Sequence, residues 1–214
     1  GSFHVPVQYA VSRMPKSIVI EDLDADGDVD FVVSSDFDNS ITVLLTMESE
    51  DGSLYFDVST HSIPGNSQSI TCVASIDWDG EGTLDCVVGV DRASSGVKDG
   101  YQVLLDVSGT SSSGPWFQIP YYQPPEGTHS PDPPTCVDGG DQVSSWGFVG
   151  GTRYGQIHRA DSVSGLQLID ALESGSNIVT IEAIDLDDGE GDGQLDLMIA
   201  SDEAESIYLF QGDA

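Results

Sequence analysis

The stretch Asp22-Leu-Asp-Ala-Asp-Gly-Asp-Val-Asp30 places five carboxylates within nine residues, and the apolar run Phe31-Val32-Val33 follows it at once. Negative charges at this density repel one another unless a cation lies among them. Alternate carboxylates can converge on one hard ion, and Ca²⁺ prefers oxygen ligands of this kind. Gly27 allows the sharp turn that such a loop needs. The stretch therefore predicts a calcium-binding loop.

The residues on either side of this loop indicate strands. An EF-hand loop begins in the same way, but it lies between two helices and has Glu at position 12, where this chain has Val33. Residues 17–20 lead into the loop and residues 31–33 leave it, and both segments are short, apolar and rich in β-branched side chains. We therefore expect the loop to join two antiparallel strands.

The acidic pattern returns along the chain. A second copy spans residues 77–85, and a third copy at 185–196 contains three additional residues. A weaker fourth copy begins at Asp141, but it has Val143 and Ser145 where carboxylates are expected, so it is predicted to keep its strands without an ion. The four loops begin 44 to 64 residues apart. This spacing is typical of propeller blades and too wide for the coils of a short solenoid.

We predict three structural calcium sites, each formed by four carboxylates and one main-chain carbonyl. Each ion is expected to hold the hairpin between the inner two strands of a blade. The predicted ligands are Asp22, Asp24, Asp26, Asp30 and the carbonyl of Asp28; Asp77, Asp79, Glu81, Asp85 and the carbonyl of Thr83; and Asp185, Asp187, Asp192, Asp196 and the carbonyl of Gln194.

With these loops the chain resembles the FG-GAP and VCBS repeat proteins. Their blades are built around Asp-x-Asp-x-Asp-Gly-x-x-Asp hairpin loops, and they form the calcium-binding β-propellers of integrin α-chain heads and of many secreted microbial proteins. The resemblance covers nearly the whole chain, although residues 108–146 fit it poorly. It leaves the ligand open, because such propellers occur as adhesins, lectin-like domains and appendages of enzymes.

The predicted fold is an all-β propeller of four-stranded antiparallel blades, with residues 1–214 forming one domain. The predicted strands are 17–21, 30–35, 40–46 and 53–60 in blade one; 70–76, 85–90, 100–106 and 115–121 in blade two; 134–138, 146–151, 155–160 and 166–171 in blade three; and 178–184, 197–201 and 206–210 in blade four.

Residues 3–10 are predicted to complete blade four as its outer strand. They resemble residues 52–58, the outer strand of blade one, and the chain stops where blade four is due a fourth strand. Pairing of the two termini would close the ring and hide the sheet edge. Alternatively, the chain is a segment of a longer polypeptide, and this edge is open or filled by another chain.

Composition restricts the classes of partner. Thirty-seven acidic and six basic residues leave a net charge of −31, which argues against nucleic acid because a phosphate backbone would be repelled. The apolar runs are only a few residues long, so no transmembrane segment is predicted. A hydrophobic content of 38% is compatible with a compact domain of many short strands.

Two groups of side chains have open interpretations. Trp116, Tyr121 and Tyr122 are candidates for stacking on a sugar or on a partner's side chain; alternatively, Trp116, Phe117 and one tyrosine fill a groove between blades. Three cysteines, Cys72, Cys86 and Cys136, leave at least one thiol unpaired within the chain. They are expected to be small buried apolar residues, with a Cys72–Cys136 disulfide as the alternative.

We find no catalytic motif: no Gly-x-Ser-x-Gly, no His-Glu-x-x-His and no phosphate-binding loop. The sequence therefore predicts a non-catalytic, calcium-stabilised propeller that presents its loops for adhesion or assembly. It is expected in the extracellular medium or at the cell surface, with a protein or carbohydrate partner. The alternative is a carbohydrate-binding, lectin-like propeller or an accessory domain of a polysaccharide-degrading enzyme.

Overall fold

The computed structural model of the protein describes residues 7–63, 69–80, 82–91, 100–105, 107, 116–118, 134–139, 147–161, 165–172, 176–184 and 196–211. Every regular element in these ranges is a β-strand, which confirms the prediction of an all-β chain. No helix in them has the length and apolar character that crossing a lipid bilayer requires.

The described residues form fifteen strands in four antiparallel sheets. In sheets 1 to 3 the four strands pair in order along the chain, and sheet 4 has three described strands. Sheet 1 contains β1 (Pro15–Glu21), β2 (Asp30–Ser35), β3 (Ser40–Glu48) and β4 (Leu54–Ser62); sheet 2 contains β5 (Ser69–Ile76), β6 (Asp85–Asp91), β7 (Gly100–Leu104) and β8 (Trp116–Gln118); sheet 3 contains β9 (Pro134–Asp138), β10 (Phe148–Thr152), β11 (Gln156–Asp161) and β12 (Gly165–Ala171); sheet 4 contains β13 (Ile178–Ile184), β14 (Asp196–Ser201) and β15 (Ser206–Phe210).

The strand boundaries agree with the sequence-based prediction to within three residues. Short segments rich in apolar and β-branched residues form most of the strands, and turn residues separate them. The left-handed backbone conformation of Asn39, for example, lies in the turn between β2 and β3. Local sequence thus accounts for the individual hairpins.

The segment before β1 differs from the prediction. Residues 7–10 form no strand. The ring of Tyr9 packs edge-on against that of Phe56 in β4, with centroids 4.8 Å apart, and the N–H of Ser12 donates to Oγ1 of Thr42 at 3.3 Å. These residues lie against sheet 1, so the prediction that they extend sheet 4 beside β15 is wrong for residues 7–10. Residues 3–6 lie outside the described part of the chain.

Successive sheets pack through their first strands, which we call the inner strands: β1 contacts β5, β5 contacts β9, and β9 contacts β13. Among the described strands, β13 makes no comparable contact with β1. Because side chains alternate across a strand, each sheet has two faces. We call the face turned toward the following sheet face A, and the face turned toward the preceding sheet face B.

The described residues form three apolar cores between the sheets, and each core joins face A of one sheet to face B of the next. Their members include Val32, Ile41 and Val43 with Val73, Val88 and Leu104 between sheets 1 and 2; Val87, Tyr101 and Val103 with Phe148, Ala160 and Leu166 between sheets 2 and 3; and Val149 and Ile157 with Ile178, Ile181 and Ile199 between sheets 3 and 4.

Candidate metal centre

The first acidic loop joins β1 to β2 within sheet 1, as the sequence predicts. Three of its carboxylates, those of Asp22, Asp24 and Asp30, each bring an oxygen atom within 4.8 Å of the others. Asp30 is buried at the start of β2, whereas Asp22 and Asp24 are partly exposed. The loop therefore gathers three oxygen donors at the end of a hairpin.

The second loop joins β5 to β6 and repeats this arrangement. Asp77, Asp79 and Asp85 hold the same three positions of the pattern, and their carboxylate oxygens also lie within 4.8 Å of one another. Asp85 is buried at the start of β6, as Asp30 is at the start of β2. The two loops thus bring together the first, third and ninth residues of the repeat.

The first aspartate of each loop orders the turn through backbone N–H groups. Asp22 accepts the N–H of Gly27 at 3.0 Å and that of Asp26 at 3.1 Å. Asp77 accepts the N–H of Gly82 at 3.0 Å, so the two glycines make the same contact. Their φ angles of +94° and +88° lie in the left-handed region, which favours glycine.

The ninth residue of each loop spans the base of the hairpin. Asp30 accepts the N–H of Leu23 at 2.9 Å, and Asp85 accepts the N–H of Trp78 at 2.9 Å. Asp30 also accepts the N–H of Thr46 on β3 at 2.7 Å. This carboxylate therefore stabilises the fold and is also one of the three converging oxygen donors.

The second residue of each loop has a role that the sequence interpretation missed. Leu23 is fully buried in the core between sheets 1 and 2, and Trp78 is buried in the core between sheets 2 and 3. The loops also contact each other, since the N–H of Leu84 donates to the carbonyl of Leu23 at 3.4 Å. The signal in the sequence was a large apolar residue between the first two aspartates.

The clustered charges favour a cation. Two carboxylates 4.8 Å apart repel by about 1 kcal/mol in water and by about 3 kcal/mol at an effective dielectric constant near 20. Burial, together with the neighbouring carboxylates of Asp26, Asp30 and Asp22, raises the pKa of Asp24. Donors that are all oxygen suit a hard divalent ion such as Ca²⁺ better than a thiophilic metal.

The remaining predicted ligands stay predictions. The exposed Asp26 lies outside the converging group of the first loop and accepts the N–H of Asp28 at 2.8 Å. The main-chain carbonyls of Asp28 and Thr83 are untested as ligands. Asp196 is buried at the start of β14, the place that Asp30 has in β2. Glu81, Asp185, Asp187, Asp192 and Gln194 lie outside the described residues, as does most of the fourth loop.

The aromatic candidates stay predictions. Trp116 begins β8, but its side chain is not described, and Tyr121 and Tyr122 lie outside the described residues. The cysteines agree with the expectation of buried apolar residues, because Cys72, Cys86 and Cys136 are all buried free thiols. The alternative of a Cys72–Cys136 disulfide is therefore wrong for this structure.

The inner strands of the first three sheets line an open cleft of about 240 Å³. The described residues of its lining include two carboxylates, Glu21 on β1 and Asp138 on β9. Asp138 also accepts the N–H of Ala183 at 2.8 Å and so joins sheet 3 to sheet 4. The position of Asp138 is thus explained by packing between sheets.

Comparison with known proteins supports the repeat. The family model of the FG-GAP-like repeat matches residues 22–88, from the first aspartate of loop one to the strand that leaves loop two. No curated protein matches the chain. Among solved structures, virginiamycin B lyase from Staphylococcus aureus, in its selenomethionine form, is similar with a TM-score of 0.46 and 12% identity, over 92% of this chain and 70% of that chain. Residues 22–88 carry an FG-GAP-like repeat, which confirms for this part of the chain the resemblance that the acidic loops indicated.

Proposed function

We propose that this protein is a non-catalytic, calcium-binding repeat module whose sheets are arranged as propeller blades and whose loops are presented to a partner outside the cell or at its surface. The observation that carries the proposal is the matched geometry of the first two loops. In both, three carboxylates converge within 4.8 Å and the first aspartate accepts the N–H of a left-handed glycine.

The residues that would hold the ions are the converging carboxylates of each loop. Asp22, Asp24 and Asp30 serve the first site, and Asp77, Asp79 and Asp85 serve the second. A bound calcium ion supplies positive charge that offsets the repulsion among these groups. Because each loop connects two strands and inserts Leu23 or Trp78 into a core, ordering the loop also orders the packing between sheets.

The proposed location follows from affinity and charge. Sites on exposed loops suit the high calcium concentration outside cells, where modules with weak affinity are occupied. A net charge of −31 favours partners that are neutral or basic and disfavours polyanions. A protein surface or an uncharged glycan fits this description.

Calorimetric titration with calcium tests the metal sites. Asp24→Asn should remove one binding event, and the pair Asp24→Asn with Asp79→Asn should remove two. Asp57→Asn is the matched control, because Asp57 is an exposed aspartate on β4 that belongs to neither acidic loop, and it should leave the isotherm unchanged. An absence of calcium binding by the wild type, or equal binding by the Asp24→Asn variant, would contradict the proposal.

The presentation of loops to a partner needs a separate test. Cells allowed to settle on surfaces coated with the protein should adhere in calcium and detach in chelator. The double variant Asp24→Asn with Asp79→Asn should retain fewer cells than the wild type, whereas Asp57→Asn should retain as many. Equal adhesion to all three surfaces would argue against this role.

A further inference from the structure

The outer strand of sheet 1, β4, forms a long and regular sheet edge. It pairs with β3 without interruption over nine residues, and no other described strand pairs with it. The outer strands of the other sheets are shorter or irregular: β8 and β15 have three and five residues, and the register between β11 and β12 shifts between Ile157 and His158. β4 is therefore the longest uninterrupted edge among the described sheets.

The composition of β4 lacks the protection that edge strands commonly have. Lysine, proline and bulges usually keep a further strand from pairing with an open edge. β4 contains no lysine, no arginine and no proline, and its one carboxylate is that of Asp57. The strand itself thus offers little that opposes the addition of another strand.

Two hydrogen bonds at the ends of the pair β3–β4 show which main-chain groups are turned outward. The N–H of Ile63 donates to the carbonyl of Asn39 at 2.8 Å, and the N–H of Ser49 donates to the carbonyl of Ser53 at 2.9 Å. Because pairing alternates along an antiparallel ladder, the odd-numbered residues of β4 turn their main-chain groups toward β3. The residues whose N–H and C=O groups point away from β3 are Leu54, Phe56, Val58, Thr60 and Ser62.

Apolar side chains flank this edge on face B. Leu54 is 64% exposed, Val58 is 45% exposed, and Phe56 lies between them in the strand. The flank on face A carries polar side chains, among them Asp57 and Ser59. A strand added here would place every second side chain beside the apolar flank and the others beside the polar flank.

We propose that β4 binds an extended segment of another protein, which adds to sheet 1 as a fifth strand. In this mode of recognition main-chain hydrogen bonds supply affinity, and alternate side chains supply specificity. The segment has apolar residues at every second position, to match the flank of Leu54 and Val58. This site lies on the sheet edge and does not involve the calcium loops.

Charge decides which kind of segment fits. The net charge of −31 repels acidic chains, so the segment is neutral or basic. A second copy of this protein could align its own β4 with this edge, but it would bring the same charge of −31. Charge complementarity therefore favours a different protein over a second copy.

A synthetic peptide that alternates valine and threonine, with one lysine at each end for solubility, tests the proposal. In calcium buffer at about 0.15 M salt, which screens the lysines, fluorescence anisotropy of the labelled peptide should show saturable binding to the wild type. The same peptide with methylated main-chain nitrogens on its valines should bind about tenfold more weakly, because it has lost the N–H donors that face β4.

Val58→Pro should weaken binding of the unmethylated peptide about tenfold, because it removes an N–H at the centre of the edge. This N–H points away from β3, so the variant should keep the circular dichroism spectrum of the wild type. Val58→Thr is the matched control: it keeps the N–H and the β-branched shape, and it should bind the peptide as the wild type does.

Equal binding of the methylated and unmethylated peptides would overturn the proposal, because it would show attraction to charge or apolar surface alone. An absence of saturable binding, or full binding by Val58→Pro, would overturn it as well. Sedimentation equilibrium provides the last check. A wild-type dimer that Val58→Pro dissociates would assign the edge to a second copy and overturn the choice of partner.

Discussion

The Asp30 carboxylate accepts the backbone N–H of Leu23 across the base of the first loop, with a distance of 2.9 Å from nitrogen to Oδ2. Its other oxygen accepts the N–H of Thr46 at 2.7 Å. Asp30 is fully buried, so one side chain joins the loop, β2 and β3. A residue that the sequence indicated as a metal ligand therefore also has a structural role.

Replacing Asp30 with Ala should destabilise the protein even without calcium. The change leaves the N–H groups of Leu23 and Thr46 without this acceptor, which costs about 2–4 kcal/mol in the free energy of unfolding. Urea unfolding in excess chelator measures the loss. Asp57→Ala, at an exposed position on β4, should cost less than about 0.5 kcal/mol. A similar midpoint for both variants would show that the two hydrogen bonds contribute little.

Removal of calcium should lower the melting temperature. An ion that binds only the folded state stabilises it by about 2.7 kcal/mol per site at a hundredfold excess over the dissociation constant. For a chain of this length, about 1 kcal/mol corresponds to about 2–4 °C, so chelation should lower the melting temperature by about 5–10 °C per site.

Calorimetric scans in calcium and in chelator measure this shift. The double variant Asp24→Asn with Asp79→Asn should respond less to chelator than Asp57→Asn does. An unchanged melting temperature after confirmed removal of the metal would contradict a structural role for calcium.

His158 should make the stability depend on pH. Burial lowers the pKa of His158 to about 4, whereas a histidine in the unfolded chain titrates near 6.5. Its contribution is complete above pH 6.5 and is lost as the pH falls toward about 4, because the unfolded state then binds a proton that the folded state excludes. The slope is at most about 1.4 kcal/mol per pH unit.

Urea unfolding between pH 7 and pH 4.5, in chelator, measures this slope for the wild type and for His158→Gln. The carboxylates contribute equally to both proteins, so the difference between the slopes isolates His158. Equal slopes would show that His158 is protonated in the folded state at low pH.

The three thiols should be unreactive in the folded protein. Burial raises the pKa of Cys72 to about 12 and that of Cys136 to about 11, and it raises the pKa of Cys86 as well. Because the thiolate is the reactive form, a thiol reagent at pH 8 should label none of them until denaturant is added, and then all three. Rapid labelling of the native protein would show that at least one of these strands opens readily.

The hairpins could be predicted from the sequence because their determinants are local. The acidic loop around Gly27 and the β-branched segments on either side of it lie within about twenty residues, and neighbouring segments pair without long chain closure. The convergence of Asp22, Asp24 and Asp30 follows from the same local pattern. Asp77, Asp79 and Asp85 of the second loop follow the same pattern and converge in the same way.

The environment of the loops was harder to predict. Leu23 and Trp78 fit the repeat pattern equally well whether they face solvent or a core, and only the packing of neighbouring sheets decides between these outcomes. Likewise, the hydrogen bond from Thr46 to Asp30 requires β3 to return beside the loop. A pattern of residue types does not contain these distances.

By itself, the sequence determined an all-β chain of hairpins with acidic loops, because strand periodicity, turn residues and carboxylate spacing act over short stretches. Only the tertiary structure decided that Tyr9 lies against Phe56 in sheet 1, and that Ile18 and Leu209 remain exposed at the two ends of the series. The physical reason is that the residue types of an apolar strand do not specify which sheet covers it. That choice depends on the free energy of burial between sheets that are distant in the chain.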